Sequence, residues 1–215
     1  MKQLLKKELL LCMHPTAPLF LFLSAMLLIP NYPYYFIFFY TTLAVFFTCL
    51  SGRENDDVFY TMTLPVAKRN IVGARICFVM LLETAQCLLA VPFAVLRQRM
   101  PIPGNQVGMD ANIALFGVSL ILMGMFNLVF FTAYYRDVSK VGRAFLWGTA
   151  TMVFLILAAE ICVHAVPFVR DRMDTPDPLF LSEKLILLAV GIVLYLLMSV
   201  CAYFKAADSF EKQDL

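Results

Sequence analysis

The chain has 215 residues, of which 61% are hydrophobic and 15% charged, and its mean hydropathy is +0.80. Soluble domains carry nearer a quarter charged residues, so this balance excludes an ordinary soluble domain and places the chain among membrane proteins. A net charge of +2 with no dense basic tract gives no footing for a nucleic-acid partner.

The first segment, "MKQLLKKELLLCMHP", sets Lys2, Lys6 and Lys7 beside Leu4, Leu5, Leu9 and Leu10. At about 100° per residue this makes a helix that is apolar on one side, suited to lying in the headgroup layer over residues 1–14. A cleavable signal peptide is disfavoured, because Pro, Asn and Tyr crowd the positions after Ile29 where small residues would be needed.

The next apolar block, Ala17–Leu50, is too long for one helix. Pro30, Asn31 and Pro33 mark a turn near its middle, which predicts two spans at about 15–30 and 33–50. Four further blocks predict spans at about 71–95, 112–134, 144–166 and 183–204. The expectation is an all-α integral membrane protein of six spans, forming a single domain over 1–215. The loops "RQRMPIPGNQVGMD" and "PFVRDRMDTPDPLFLS" are short and proline-bearing, too small to fold separately.

Counting Lys and Arg along this topology puts twelve on the N-terminal side of the membrane and five on the other. That asymmetry predicts a multi-pass protein with both termini in the cytoplasm. The run "NYPYYFIFFY" then falls at the outer interface, and Tyr134, Tyr135, Trp147 and Tyr203 at the inner one, as aromatic belts.

Between the second and third spans lies "SGRENDDVFYTMTLPVAKRN", Ser51–Asn70. Ser51 and Glu54 have capping-box spacing, and Asp56 and Asp57 favour the positive end of a helix starting there. Leu64–Pro65 ends it. Val58, Phe59 and Met62 share a face by their spacing, an apolar side flanked by acids that suits docking into a groove on another protein. A solvated loop with a capped interfacial helix is the competing reading.

Within the spans, Glu83 sits near the middle of the third with Gln86 on the same side. Placing a carboxylate there costs about 2.5–3.5 kcal/mol, so it should face protein or water. It marks either a polar path through the membrane, a contact between two copies of the chain, or a protonated group satisfied by a neighbouring helix. Glu160 and His164 are one turn apart on the fifth span and close enough to pair. Gly117 and Gly124 line one side of the fourth span and permit close helix approach.

Chemistry motifs are missing: the sequence holds no GxxxxGK[ST] loop, no HExxH and no GxSxG. Catalysis and a cofactor are not expected in this chain. The cysteines Cys12, Cys49, Cys77, Cys87, Cys162 and Cys201 are scattered without a CxxC, and read as small apolar residues rather than disulfides or metal ligands.

"MKQLLKKELLL", a second span ending "SGRENDD", and "TLPVAKRNIVGARI" leading into the third resemble the small ABC-2 type permeases of bacterial ATP-binding-cassette transporters. The loop "YYRDVSKVGR" and the tail "SFEKQDL" agree, although "FTAYYRDV" departs from the proline and glycine turn of the relatives. The resemblance implies a half-transporter that pairs with a second permease, identical or related, on two separate ATPase subunits that carry ATP and Mg. It implies a coupling helix made by Glu54, Asn55, Asp56, Asp57, Val58, Phe59, Met62, Leu64 and Pro65. It also implies a second cytoplasmic contact at Arg136, Asp137 and Lys140, and export of an amphipathic peptide or hydrophobic small molecule. A non-transporting membrane scaffold or sensor subunit, and a membrane-embedded enzyme acting on lipid through Glu83 or Glu160, stand as alternatives.

Overall fold

The computed structural model describes residues 1–101 and 103–213, so the last two residues of the tail lie outside the described residues. Among the described residues every regular element is helical. An arm α1 (Lys2–Cys12) meets α2 (Thr16–Leu28) at 85°. There follow α3 (Tyr35–Glu54), α4 (Asp57–Met62), α5 (Lys68–Arg99), α6 (Ile113–Tyr134), α7 (Val141–Ala165) and α8 (Leu181–Glu211). Five of these, α3 and α5 to α8, are long and apolar enough to cross a membrane, and the bent α1–α2 pair makes a sixth if counted as one span.

Proline sets the shape of the first unit. Pro15 has no backbone N–H and keeps the residue before it out of helical geometry, so the chain turns between Cys12 and Thr16. Ile29, before Pro30, is extended for the same reason and ends α2. The last six residues of α2, Leu23–Leu28, are wound as a 3₁₀ helix. At helical rises α2 reaches roughly 22 Å, short of the about 30 Å hydrocarbon core.

The centre of the fold is the contact of α6 with α8. A Cβ on Gly191 would lie 2.3 Å from the Gly117 carbonyl oxygen, and one on Gly124 would lie 3.0 Å from Tyr195 Cα. Backbone meets backbone there because both helices present small residues, which is how helices associate where lipid offers no hydrophobic drive. In the C-terminal half of α6, Phe126, Phe130, Phe131 and Tyr134 are buried, as is Tyr135 just after it. Phe126 and Phe130 stack at 5.1 Å, and Phe130 and Tyr134 at 5.7 Å.

This corrects part of the belt expectation. Tyr134 and Tyr135 pack inside the protein, as do Tyr34 and Tyr35 at the opposite end, while Trp147 stays exposed. The buried tyrosines serve as core aromatics whose rings fill space between helices too large for aliphatic side chains.

Candidate functional site

At the end of the bundle where α1 and α4 lie, the helix expected to begin at Ser51 begins six residues later. α3 runs on through Glu54, with the Asn55 N–H donating to the Ser51 carbonyl at 3.0 Å. Ser51 is thus inside a helix and caps nothing, which corrects the capping-box reading. Nothing in "TCLSGRE" is strong enough to stop a helix that already has several turns behind it. The break comes at Asp56, which adopts a left-handed conformation at φ 50, a place that Asp tolerates better than most residues.

α4 then turns one side inward and one outward. Val58 and Thr61 are buried, whereas Phe59 is 58% exposed and Tyr60 66% exposed. The expected Val58–Phe59–Met62 face is therefore split: Val58 belongs to the core and Met62 is half-buried against it. The outward surface is made by Phe59, Tyr60, Leu64 and Pro65, rimmed by Glu54, Asn55 and Asp56.

What fixes α4 is a buried ion network centred on Asp57. Its carboxylate accepts from Lys7 Nζ at 2.7 Å and from Arg75 Nη2 at 2.6 Å. Arg75 also pairs with Glu8 at 2.5 Å, and Lys7 donates to Thr61 Oγ1 at 2.7 Å. The side chains of Arg75 and Glu8 are each 2% exposed. Two acids and two cations close the charge balance, which is the condition for ionised groups to persist away from water. Burial works against the Asp57 charge, but Arg75 and Lys7 outweigh it and hold the carboxyl below its usual range. Glu8, Cys12 and Asp57 lie close enough to ligate a cation, yet Lys7 and Arg75 already supply the positive charge.

Lys7, Glu8, Arg75 and Tyr60 were not among the residues expected at the site. The available signal was an acid inside "ELLL" and an arginine well inside an apolar block, each of which demands a partner.

A second loop at the same end joins α6 to α7. Arg136 and Lys140 are exposed. Asp137 accepts from the Ser139 hydroxyl at 2.5 Å and pairs with Lys140 at 2.8 Å. Hydrogen bonds from Lys140 and Ser139 pull its carboxyl down to about 2. Arg53 Nη1 at the end of α3 donates to the Ser139 carbonyl at 3.4 Å, so this loop touches the start of the α3–α4 connection. Between them lies a cleft of about 210 Å³ lined by Gly52, Asp56, Val58, Phe59, Tyr134 and Val138 among others.

Further into the membrane, Glu83 is fully buried. One of its oxygens accepts from Tyr195 OH at 2.7 Å and Asn127 Nδ2 at 2.8 Å, linking α5 to α6 and α8. Gln86, also fully buried, instead donates to Ser24 Oγ at 2.9 Å on α2. The two groups are not one polar patch, because they address different helices. Glu160 and His164 form no ion pair among the described residues. The Glu160 carboxyl turns instead towards the loop between α5 and α6, where a Cβ on Gly108 would lie 2.2 Å from it.

The arrangement offers an aromatic patch, Phe59 and Tyr60, on a helix anchored from behind by ion pairs. The family described as ABC-2 family transporter protein matches the chain over residues 3–211. No curated protein and no solved structure matches it.

Proposed function

The chain belongs to the ABC-2 family of transporter proteins, and from that premise we propose that α4 is the helix through which a separate ATPase subunit drives it. Family membership makes it a multi-pass membrane permease, a transport subunit that is not itself catalytic, and implies an ATPase partner. Two permeases, identical or related, would stand on two ATPase subunits that bind ATP and Mg. Both termini and α4 would lie in the cytoplasm of a plasma-membrane complex. The cargo would be an amphipathic peptide or hydrophobic small molecule, moved outward.

The observation that carries this reading is the exposed pair Phe59–Tyr60 on a helix locked from behind by Asp57, Arg75 and Lys7. An aromatic patch on a rigid support is what a docking contact needs, since little conformational freedom remains to be lost on binding. Rigid anchoring also lets a push on α4 pass into α5 and the arm α1 rather than dissipate in a loop.

Co-purification from mild detergent with co-expressed genomic neighbours tests it. The native chain should bring down an ATPase subunit, and Phe59→Ala with Tyr60→Ala should lower recovery at least about thirtyfold, the effect of losing an interface hot spot. Equal recovery from both preparations would remove α4 as the docking element.

A further inference from the structure

The arm α1 carries lysines on two flanks, and only one flank has protein partners. Lys7 and Glu8 turn inward to Asp57 and Arg75. Lys2, Lys6, Leu9 and Leu10 are exposed, and their spacing sets them along the other flank. Among the described residues Lys2 and Lys6 enter no ion pair, whereas Lys7 meets both Glu8 and Asp57.

The fold lays this flank along the membrane surface. α2 runs beside the spanning helix α3, with His14 stacked on Phe47 at 5.6 Å and Phe20 on Tyr40 at 6.2 Å. The 85° bend then turns α1 across that direction, level with the lipid headgroups rather than along the acyl chains. The far end of the arm returns to the bundle, since Met1 Cε lies 2.9 Å from where a Cβ on Gly73 of α5 would stand. Both ends of the arm are thus tied to the bundle, and its outer flank faces away from the protein.

We propose that this flank binds anionic phospholipid, with Lys2 and Lys6 on the headgroup phosphates and Leu9 and Leu10 among the upper parts of the acyl chains. Exposed leucines at this depth suit any bilayer, but two lysines with no acid beside them take their counter-charge from the lipid. The topology proposed above puts this end at the cytoplasmic leaflet, whose anionic lipids attract basic segments next to a span. The inward flank of the same helix holds Asp57 and Arg75, so lipid that fixes the arm also steadies α4. That consequence rests on the docking reading, whereas the lipid site itself does not.

The test places a reporter on the flank, Leu10→Trp, in a chain whose one native tryptophan is removed by Trp147→Phe. The permease alone is reconstituted in mixed bilayers of phosphatidylglycerol and phosphatidylcholine, with brominated chains on one lipid or on the other. Brominated phosphatidylglycerol should quench the reporter as if enriched at least about fivefold over its bulk fraction, the effect of one lysine at an anionic surface. Lys2→Gln with Lys6→Gln should abolish the preference, and Lys2→Arg with Lys6→Arg should retain it. Quenching by neither lipid would take the arm out of the bilayer. Equal quenching by both with the lysines in place, a preference that survives the glutamine pair, or one lost in the arginine pair would take their charge out of the site. Each of these results overturns the proposal. With no ATPase present, failure here leaves the docking of α4 standing, whereas failed co-purification would leave a lipid-binding arm that steadies no docking helix.

Discussion

Asp57 shows how one residue changes meaning between sequence and structure. In the sequence it is one of two adjacent acids at the head of a short helix; in the fold it is the acceptor for Lys7 and Arg75 and faces inward. Spacing identified the helix but not the direction of this side chain, because its partners lie 50 and 18 positions away. Removing Arg75 leaves Glu8 and Asp57 buried with Lys7 as their one remaining cation, so Arg75→Met should cost about 3–5 kcal/mol. The double variant with Glu8→Gln should recover part of that loss, as coupled partners do. Thermal unfolding in detergent measures both together with Glu8→Gln alone, and a double variant that loses the sum of the two single losses would mean that Glu8 and Arg75 are not coupled. The pH dependence has a definite sign. Asp57 titrates below its ordinary value, about 3.9, so its contribution is complete above that value and is lost as pH falls through the lowered one.

At the scale of elements, apolar block lengths located the five long helices, because a span of roughly 20 apolar residues is set by bilayer thickness. Ends were less legible. α3 overran Ser51, and α8 continues to Glu211 well beyond its apolar block, where Arg69 from α5 meets Asp208 at 3.1 Å and Glu211 at 2.8 Å. Tertiary pairing extends a helix that hydropathy alone would stop. The glycines were legible, since Gly117 and Gly124 do line the close contact, but their counterpart Gly191 on α8 emerges only from the packing. Gly191→Ala places a methyl group 2.3 Å from a backbone oxygen that has no rotamer by which to yield. Overpacking of this kind costs about 1–3 kcal/mol. Its unfolding midpoint should therefore fall, whereas Gly142→Ala, inside α7 with nothing within 4 Å of the added Cβ, should leave it unchanged or raise it slightly. Equal shifts at the two positions would count against the close α6–α8 contact.

For the whole molecule, the charge asymmetry sharpens once the contacts are known. Of the five cations assigned to the outer side, Lys184 is buried against Asp177 at 3.0 Å, and Arg97 donates to Tyr34 OH at 3.0 Å and the Pro103 carbonyl at 2.9 Å. Both are absorbed into a cap in which Asn105 reaches the Tyr32 carbonyl at 2.9 Å and Asn112 reaches the Met173 carbonyl at 2.7 Å. Arg170 and Arg172 pair with Asp171 and Glu183. Inner cations such as Arg136 stay exposed. Exposed Lys and Arg hold a loop on the cytoplasmic side, so the two ends differ more than a count of twelve against five suggests. Cysteines placed at Gln106 and at Asn55, both exposed, test the orientation in intact cells with a membrane-impermeant maleimide. Gln106→Cys should label directly, and Asn55→Cys only after permeabilisation. The reverse pattern would place α4 outside the cell, away from any ATP, and would end its assignment as the docking helix together with the topology.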